Sequence, residues 1–295
     1  MQFGPFACSN KRLGMGHYGT VLLGRHQETG ERVAVKVEVD GQKRPRLPVE
    51  ATIYRAMDGI PGFPRMRWFG RAHGKLALVL DLLGPSLRAV HQTSGIVGAH
   101  ALKFIAEEAV LRLESLHLQG WLHCDVKPAN LLLAARQGRP GIPDSTTITH
   151  RPLSLVDFGL SRRWLDPVTG APLGIEGLPP RRLGAPVGTV RFASLRNHEG
   201  QSLGRRDDLE SLAMSLAFLG AGRLPWSGLK PAPAPRAERF AAILECKQST
   251  SVAEMGEGLP HGFADFFASI RSLQTHDEPD YRALIEMARS WPCTA

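Results

Sequence analysis

Ahead of Gly84-Pro85 the apolar residues of this chain recur in twos; behind it they recur in threes and fours. Val33, Val35 and Val37 alternate with Ala34 and Lys36, which gives one apolar face at strand period. Residues 12 to about 80 are therefore expected to be mainly strands, with 75–83 a second short apolar one. The exception is 48–59, which has helical spacing and ends at a Gly. Beyond the Gly-Pro pair, Leu102, Ile105, Ala106, Ala109, Val110, Leu113 and Leu116 fall on one helical stripe, so 101–118 is read as a long amphipathic helix. Further helices are expected from near Asp208, over 236–246 and over 262–273. The pattern predicts an α+β fold of two unequal lobes: a small β-rich lobe with one main helix (1–80), a hinge (81–84) and a larger, mostly helical lobe (85–295). Irregular loops are expected at 134–152, 167–186 and the PAPAP run at 231–235.

Composition excludes several classes. The chain has 295 residues, 43% of them hydrophobic, enough for one large domain or two lobes with cores of their own. No run approaches the roughly 18–20 apolar residues that span a bilayer. The first residues lack the apolar core of a secretory signal. Cys8, Cys124, Cys246 and Cys293 form no CxxC pair, so reduced thiols are expected rather than a disulfide framework or a zinc site. An intracellular setting, cytoplasm or nucleus, follows as an expectation. The formal charge of +8 allows an anionic partner without choosing one. No aromatic-rich RNA-binding motif and no basic amphipathic helix makes nucleic acid or membrane the main partner.

The residues that carry chemistry come in order along the chain. Gly14, Gly16 and Gly19, followed by Val21, form a GxGxxGxV turn, whose backbone N–H groups can approach phosphate oxygens. Its flanks favour strand-turn-strand, which argues against a dinucleotide fold, where a helix should follow. Lys36 lies on the alternating strand, and Glu50 on the next helix could pair with it; a paired lysine is held rigid and can grip phosphates. His123-Cys124-Asp125-Val126-Lys127-Pro128-Ala129-Asn130 follows the long helix, and Asp157-Phe158-Gly159 follows a short apolar strand. Phosphoryl transfer needs these types: a carboxylate to orient the attacking hydroxyl, a carboxylate and an amide oxygen for Mg²⁺, and a lysine for the charge on the transferred group.

With these motifs the chain resembles a eukaryotic-type protein kinase, and more closely the casein kinase I family. The matching stretches are 82–87 (LLGPSL), 157–164 (DFGLSRRW), 188–200 (GTVRFASLRNHEG), 205–212 (RRDDLESL) and 224–230 (LPWSGLK). Where most protein kinases carry Ala-Pro-Glu after the activation segment, Ser194-Leu195-Arg196 stands here. The resemblance runs from about residue 11 to 290. It implies a bilobal kinase fold, with ATP and Mg²⁺ as cofactors. Leu13, Val21, Ala34, Leu132 and Val156 would enclose adenine, Leu80 would be the gatekeeper, and the backbone of Asp81 and Leu83 would bond the adenine edge. Lys36, paired with Glu50, would contact the phosphates, and Asp125 would be the catalytic base. Lys127 would stabilise the γ-phosphoryl group with Thr189 nearby, and Asn130 and Asp157 would hold Mg²⁺. Asp208 would cap the catalytic-loop backbone, and His123 would be a core residue of that loop. Arg191, with Arg239 as a basic partner, would receive an acidic or phosphorylated residue upstream of the acceptor Ser or Thr in protein substrates.

Three departures stand out. Cys124 replaces the arginine usual before the catalytic Asp, so activity without activation-loop phosphorylation is expected. A second anion site of the family keeps Arg162, while Gly184 replaces a basic residue; Arg181 and Arg182 could compensate. The 26 residues between Asn130 and Asp157 exceed what relatives carry. The alternative to an active enzyme is a nucleotide-binding pseudokinase or scaffold with an anion-binding surface.

Overall fold

The computed structural model describes residues 1–16, 19–38, 45–135, 145–173, 186–229 and 234–293. The N-terminal part is one antiparallel sheet of β1 (Gln2–Phe3), β2 (Phe6–Gly16), β3 (Gly19–His26), β4 (Arg32–Glu38), β5 (Met66–Ala72) and β6 (Lys75–Asp81), in the order β1-β2-β3-β4-β6-β5. Helix α1 (Leu47–Ala56) leaves β4 and packs on one face. Pro48 in its first turn suits a helix start, where the missing N–H costs nothing. The sheet begins ten residues earlier than the sequence suggests, because Phe3 and Phe6 bury their rings in its outer core with Leu22, Val33, Val35, Val37, Ala77 and Val79. Leu78 and Leu80, on the opposite face of β6, join α1 and the larger core.

Past Asp81 the chain is mostly helical: α2 (Leu87–Ser94), α3 (Ala99–Leu118), α4 (Leu195–His198), α5 (Arg205–Ala221), α6 (Arg236–Ser249), α7 (Val252–Met255), α8 (Phe263–Ser272) and α9 (Tyr281–Ser290). Among them lie the short strand pairs β7 (Trp121–Leu122) with β10 (Arg162–Arg163) and β8 (Leu131–Leu133) with β9 (Leu153–Leu155). The helices expected at 101–118, near Asp208, over 236–246 and over 262–273 are all present with shifted ends. The expected strand 75–83 stops at Asp81, whose N–H bonds Arg65 O at 3.1 Å. Helices α2 and α9 escaped the sequence reading; Ser86 and Asp280 cap them, accepting from Ala89 N and Ala283 N.

The 134–152 loop is not wholly irregular: a 3₁₀ turn covers Ser145–His150 and buries Ile148, and residues 136–144 lie outside the described part. The 167–186 loop is irregular over 167–173; 174–185, with Arg181, Arg182 and Gly184, lies outside it, as does most of the PAPAP run. No helix among the described residues is long and apolar enough to cross a membrane.

Phe158 ties the two halves together. Fully buried, it meets Tyr54 of α1 edge-on at 4.9 Å, stacks on Phe63 at 6.2 Å and meets His123 at 5.4 Å. Truncating such a ring costs about 3–5 kcal/mol, here at the junction between the sheet's helix and the loop that carries Asp125.

Candidate active site

The glycine turn is a hairpin, as its flanks suggest: Gly14 pairs with Val21 and Gly16 with Gly19. At Gly19 a Cβ would come within 2.5 Å of Val37 O, so only glycine lets β3 lie this close to β4. Leu13 stays 42% exposed beside the hairpin. Val21, Ala34, Leu132 and Val156 are partly exposed although apolar, whereas the Val33, Val35 and Val37 side chains on the other face of β4 are buried. Such partly open apolar residues on separate elements suit a flat aromatic ligand. Leu80 sits behind them, 9% exposed. Asp81 is fixed through its side chain, which takes Arg67 Nε and Arg65 N. Among the described residues the Leu83 N–H has no acceptor, so it is free to donate to a ligand.

Lys36 faces inward from β4 and donates to Glu50 Oε1 and Oε2 at 2.7 and 2.8 Å and to Asp157 Oδ1 at 2.7 Å. Burial alone would lower the Lys36 pKa; Glu50 and Asp157 outweigh it and hold the ammonium charged. Burial likewise works against the Asp157 carboxylate, and Lys36 pulls it below its ordinary range. Tyr54, one turn after Glu50, accepts from the Asp157 N–H at 3.4 Å. Its i+4 spacing from Glu50 was visible in the sequence, but nothing there showed what it would meet.

The catalytic loop hangs from one buried carboxylate. Asp208, at the start of α5, accepts from His123 N at 2.7 Å, Cys124 N at 2.8 Å and His117 Nε2 at 3.0 Å. Burial disfavours the Asp208 charge, but these donors hold its pKa below the usual range. They also fix Cys124 at φ 64°, a backbone region costly for a side-chain-bearing residue. His123 is fully buried; its Nδ1 accepts from Asp125 N at 3.2 Å, so Nε2–H donates to Val156 O at 3.0 Å. This is the structural role expected for it.

On this loop Asp125 Oδ1 accepts from Thr189 N and Oγ1, both at 2.8 Å, and Oδ2 accepts from Lys127 Nζ at 2.6 Å. Lys127 also donates to Thr189 Oγ1 at 2.9 Å. Gly188 permits the contact: it has φ 82°, and a Cβ there would lie 2.5 Å from Cys124 O and 2.9 Å from Asp125 Oδ1. Asn130 Nδ2 donates to Asp125 O at 2.9 Å. That leaves the amide oxygen as its free acceptor, on the same short stretch that continues through Asn130 O to Val156 N beside Asp157. An amide oxygen and an ionised carboxylate are a hard donor set of the kind Mg²⁺ takes.

Arg191 lies two residues beyond Thr189, its guanidinium 5.7 Å from the Phe218 ring centroid and without a carboxylate partner among the described residues. Arg239 lies in the first turn of α6. The Ser194-Leu195-Arg196 element is anchored by Ser194 Oγ to Asp207 and by Arg196 to the carbonyls of Arg271 and Leu273. Glu210 accepts from Leu195 N and Arg271 Nε, both at 3.3 Å. The acidic run before α5's apolar part is therefore buried because it holds up the loops above it.

A two-lobed fold with a glycine hairpin, a buried Lys–Glu pair and an Asp–Lys–Thr cluster across the cleft defines a phosphotransferase. The family model described as "Protein kinase domain" matches residues 8–278. The chain belongs to the protein kinase domain family. It is a protein kinase, and its class uses ATP, a divalent metal and protein substrates.

Proposed function

We propose that this kinase is a serine/threonine enzyme of casein kinase I type, active without activation-loop phosphorylation and favouring acidic or pre-phosphorylated sites. The observation that carries the reading is the Asp125–Lys127–Thr189 cluster, in which the Thr189 N–H and hydroxyl and the Lys127 ammonium hold both oxygens of the Asp125 carboxylate. In this reading Asp125 orients the acceptor hydroxyl and takes its proton as the hydroxyl oxygen bonds the γ-phosphorus of ATP; the bond from that phosphorus to the β,γ-bridging oxygen breaks and ADP leaves. Lys127 offsets charge on the transferred group from its position between Asp125 and Thr189. Lys36, steadied by Glu50, holds the α- and β-phosphates. Leu13, Val21, Ala34, Leu132 and Val156 enclose adenine, with Leu80 as gatekeeper and the 81–84 hinge backbone at its edge. Asn130 and Asp157 fit Mg²⁺, which supplies charge neutralisation between the phosphates when bound. Arg191, half-buried beside the acceptor segment and without a carboxylate partner among the described residues, supports the acidic preference; Arg239 on α6 is its proposed partner.

The activation claim rests on geometry as well. Cys124 is buried with Leu122 and Leu203 and offers no cation to a phosphate, while Asp208 already holds the loop. Phosphatase-treated protein should keep its turnover. A loss of turnover on that treatment, restored by phosphorylation within 157–195, would refute this part of the reading.

A further inference from the structure

The backbone from Val190 to Ala193 follows Thr189 and carries Arg191, and three of its four carbonyls are held from outside. Lys247 Nζ, from α6, donates to Val190 O at 2.8 Å and Ala193 O at 2.6 Å. Trp226 Nε1 donates to Arg191 O at 2.8 Å. The ammonium also lies 5.2 Å from the Trp226 ring centroid, a cation–π contact that is stronger for being desolvated. Lys247 is fully buried and Trp226 is 2% exposed. No carboxylate pairs with Lys247 among the described residues. An aliphatic side chain would fill that space without the cost of burying an ammonium, so the carbonyls are what the ammonium serves. The neighbouring elements present Glu210 (α5), Arg271 (α8) and His198 (α4) to it; burial lowers Lys247 to about 7, Glu210 opposing and Arg271 adding to the shift.

We propose that Lys247 and Trp226 are positioning residues for the phosphoacceptor, fixing the 190–193 backbone so that the acceptor chain is presented to Asp125. They do permanently, from inside the protein, what a phosphate on the activation segment would otherwise do, in a chain whose Cys124 cannot bind one. The inference rests on the kinase reading of the site, and its test separates the two.

The variants are Lys247→Met, which keeps the length and loses the donor, and Trp226→Phe, which loses only the indole N–H and part of the ring. With an acceptor peptide that has no group titrating near neutrality, Lys247→Met should raise the peptide KM about tenfold. Trp226→Phe should do so less, and the KM for ATP should stay within about twofold in both. In the wild type the peptide KM should rise as pH climbs through about 7, since a neutral amine bonds carbonyls more weakly; in Lys247→Met the profile should be flat. Unchanged peptide KM in both variants overturns the proposal, as does a flat wild-type profile. If Lys247→Met does not fold, Trp226→Phe carries the same KM readout. If the wild type transfers no phosphate, the kinase reading fails instead. Amide hydrogen exchange then decides: faster exchange over 189–194 in either variant, with 121–130 unchanged, supports the positioning role, and unchanged exchange overturns it.

Discussion

Lys36 donates to both carboxylate oxygens of Glu50, at 2.7 and 2.8 Å, and the glutamate is fully buried. The pair joins β4 to α1 and aims the ammonium at Asp157. Lys36→Met should lower kcat/KM by about a hundredfold or more, since it removes charge stabilisation at the phosphates. Glu50→Gln leaves the ammonium with Asp157 as its one full anionic partner among the described residues. It should cost about 3 kcal/mol of stability, read by denaturant unfolding, and lower kcat as well.

The catalytic loop should fail differently when Asp208 is altered. Asp208→Asn puts an N–H₂ donor where the carboxylate accepted from His123 N, Cys124 N and His117 Nε2. With a buried donor left facing another donor, kcat should fall about tenfold or more while the KM for ATP barely moves. Steady-state kinetics on the folded variant checks this.

Gly188→Ala tests the close approach over the loop. Its φ of 82° and the 2.5 Å gap to Cys124 O leave no room for a methyl group. The substitution should cost about 1–3 kcal/mol and loosen the Thr189–Asp125 contact, so kcat should drop more than stability alone explains. Thermal melting alongside turnover distinguishes the two effects.

The buried lysine also leaves a mark on stability. Its pKa is about 7 in the folded chain against an ordinary 10.5. Between those values the unfolded chain binds the extra proton, so unfolding free energy rises with pH above about 7, by at most about 1.4 kcal/mol per pH unit. The contribution is absent below about pH 7, where both states are protonated. Urea unfolding from pH 7 upward should show this rise from Lys247 in the wild type and lose it in Lys247→Met.

What the sequence made legible was whatever local periodicity or spacing encodes. The alternation of Val33, Val35 and Val37 and the stripe from Leu102 to Leu116 were readable because each side chain's face depends only on its own neighbours. The catalytic motifs were readable because their spacing is short. The beginning of the sheet at Gln2 was hidden, since two buried phenylalanines three residues apart set no period. Lys247 and Trp226 were invisible as a pair. They lie 21 positions apart, and the fold alone brings ammonium and ring together over the same carbonyls, which no side-chain pattern records. The same holds for Glu210 and Arg271, joined 61 positions apart.

Phosphate transfer from γ-labelled Mg-ATP is the most direct test of the central claim. The acceptors are casein and paired peptides with and without an upstream phosphoserine, with Asp125→Asn as the control. The account predicts transfer to serine or threonine by the unphosphorylated wild type, preference for the primed peptide, and loss of transfer in the variant. Wild-type protein that binds Mg-ATP and transfers no phosphate would contradict it and leave a nucleotide-binding pseudokinase in its place.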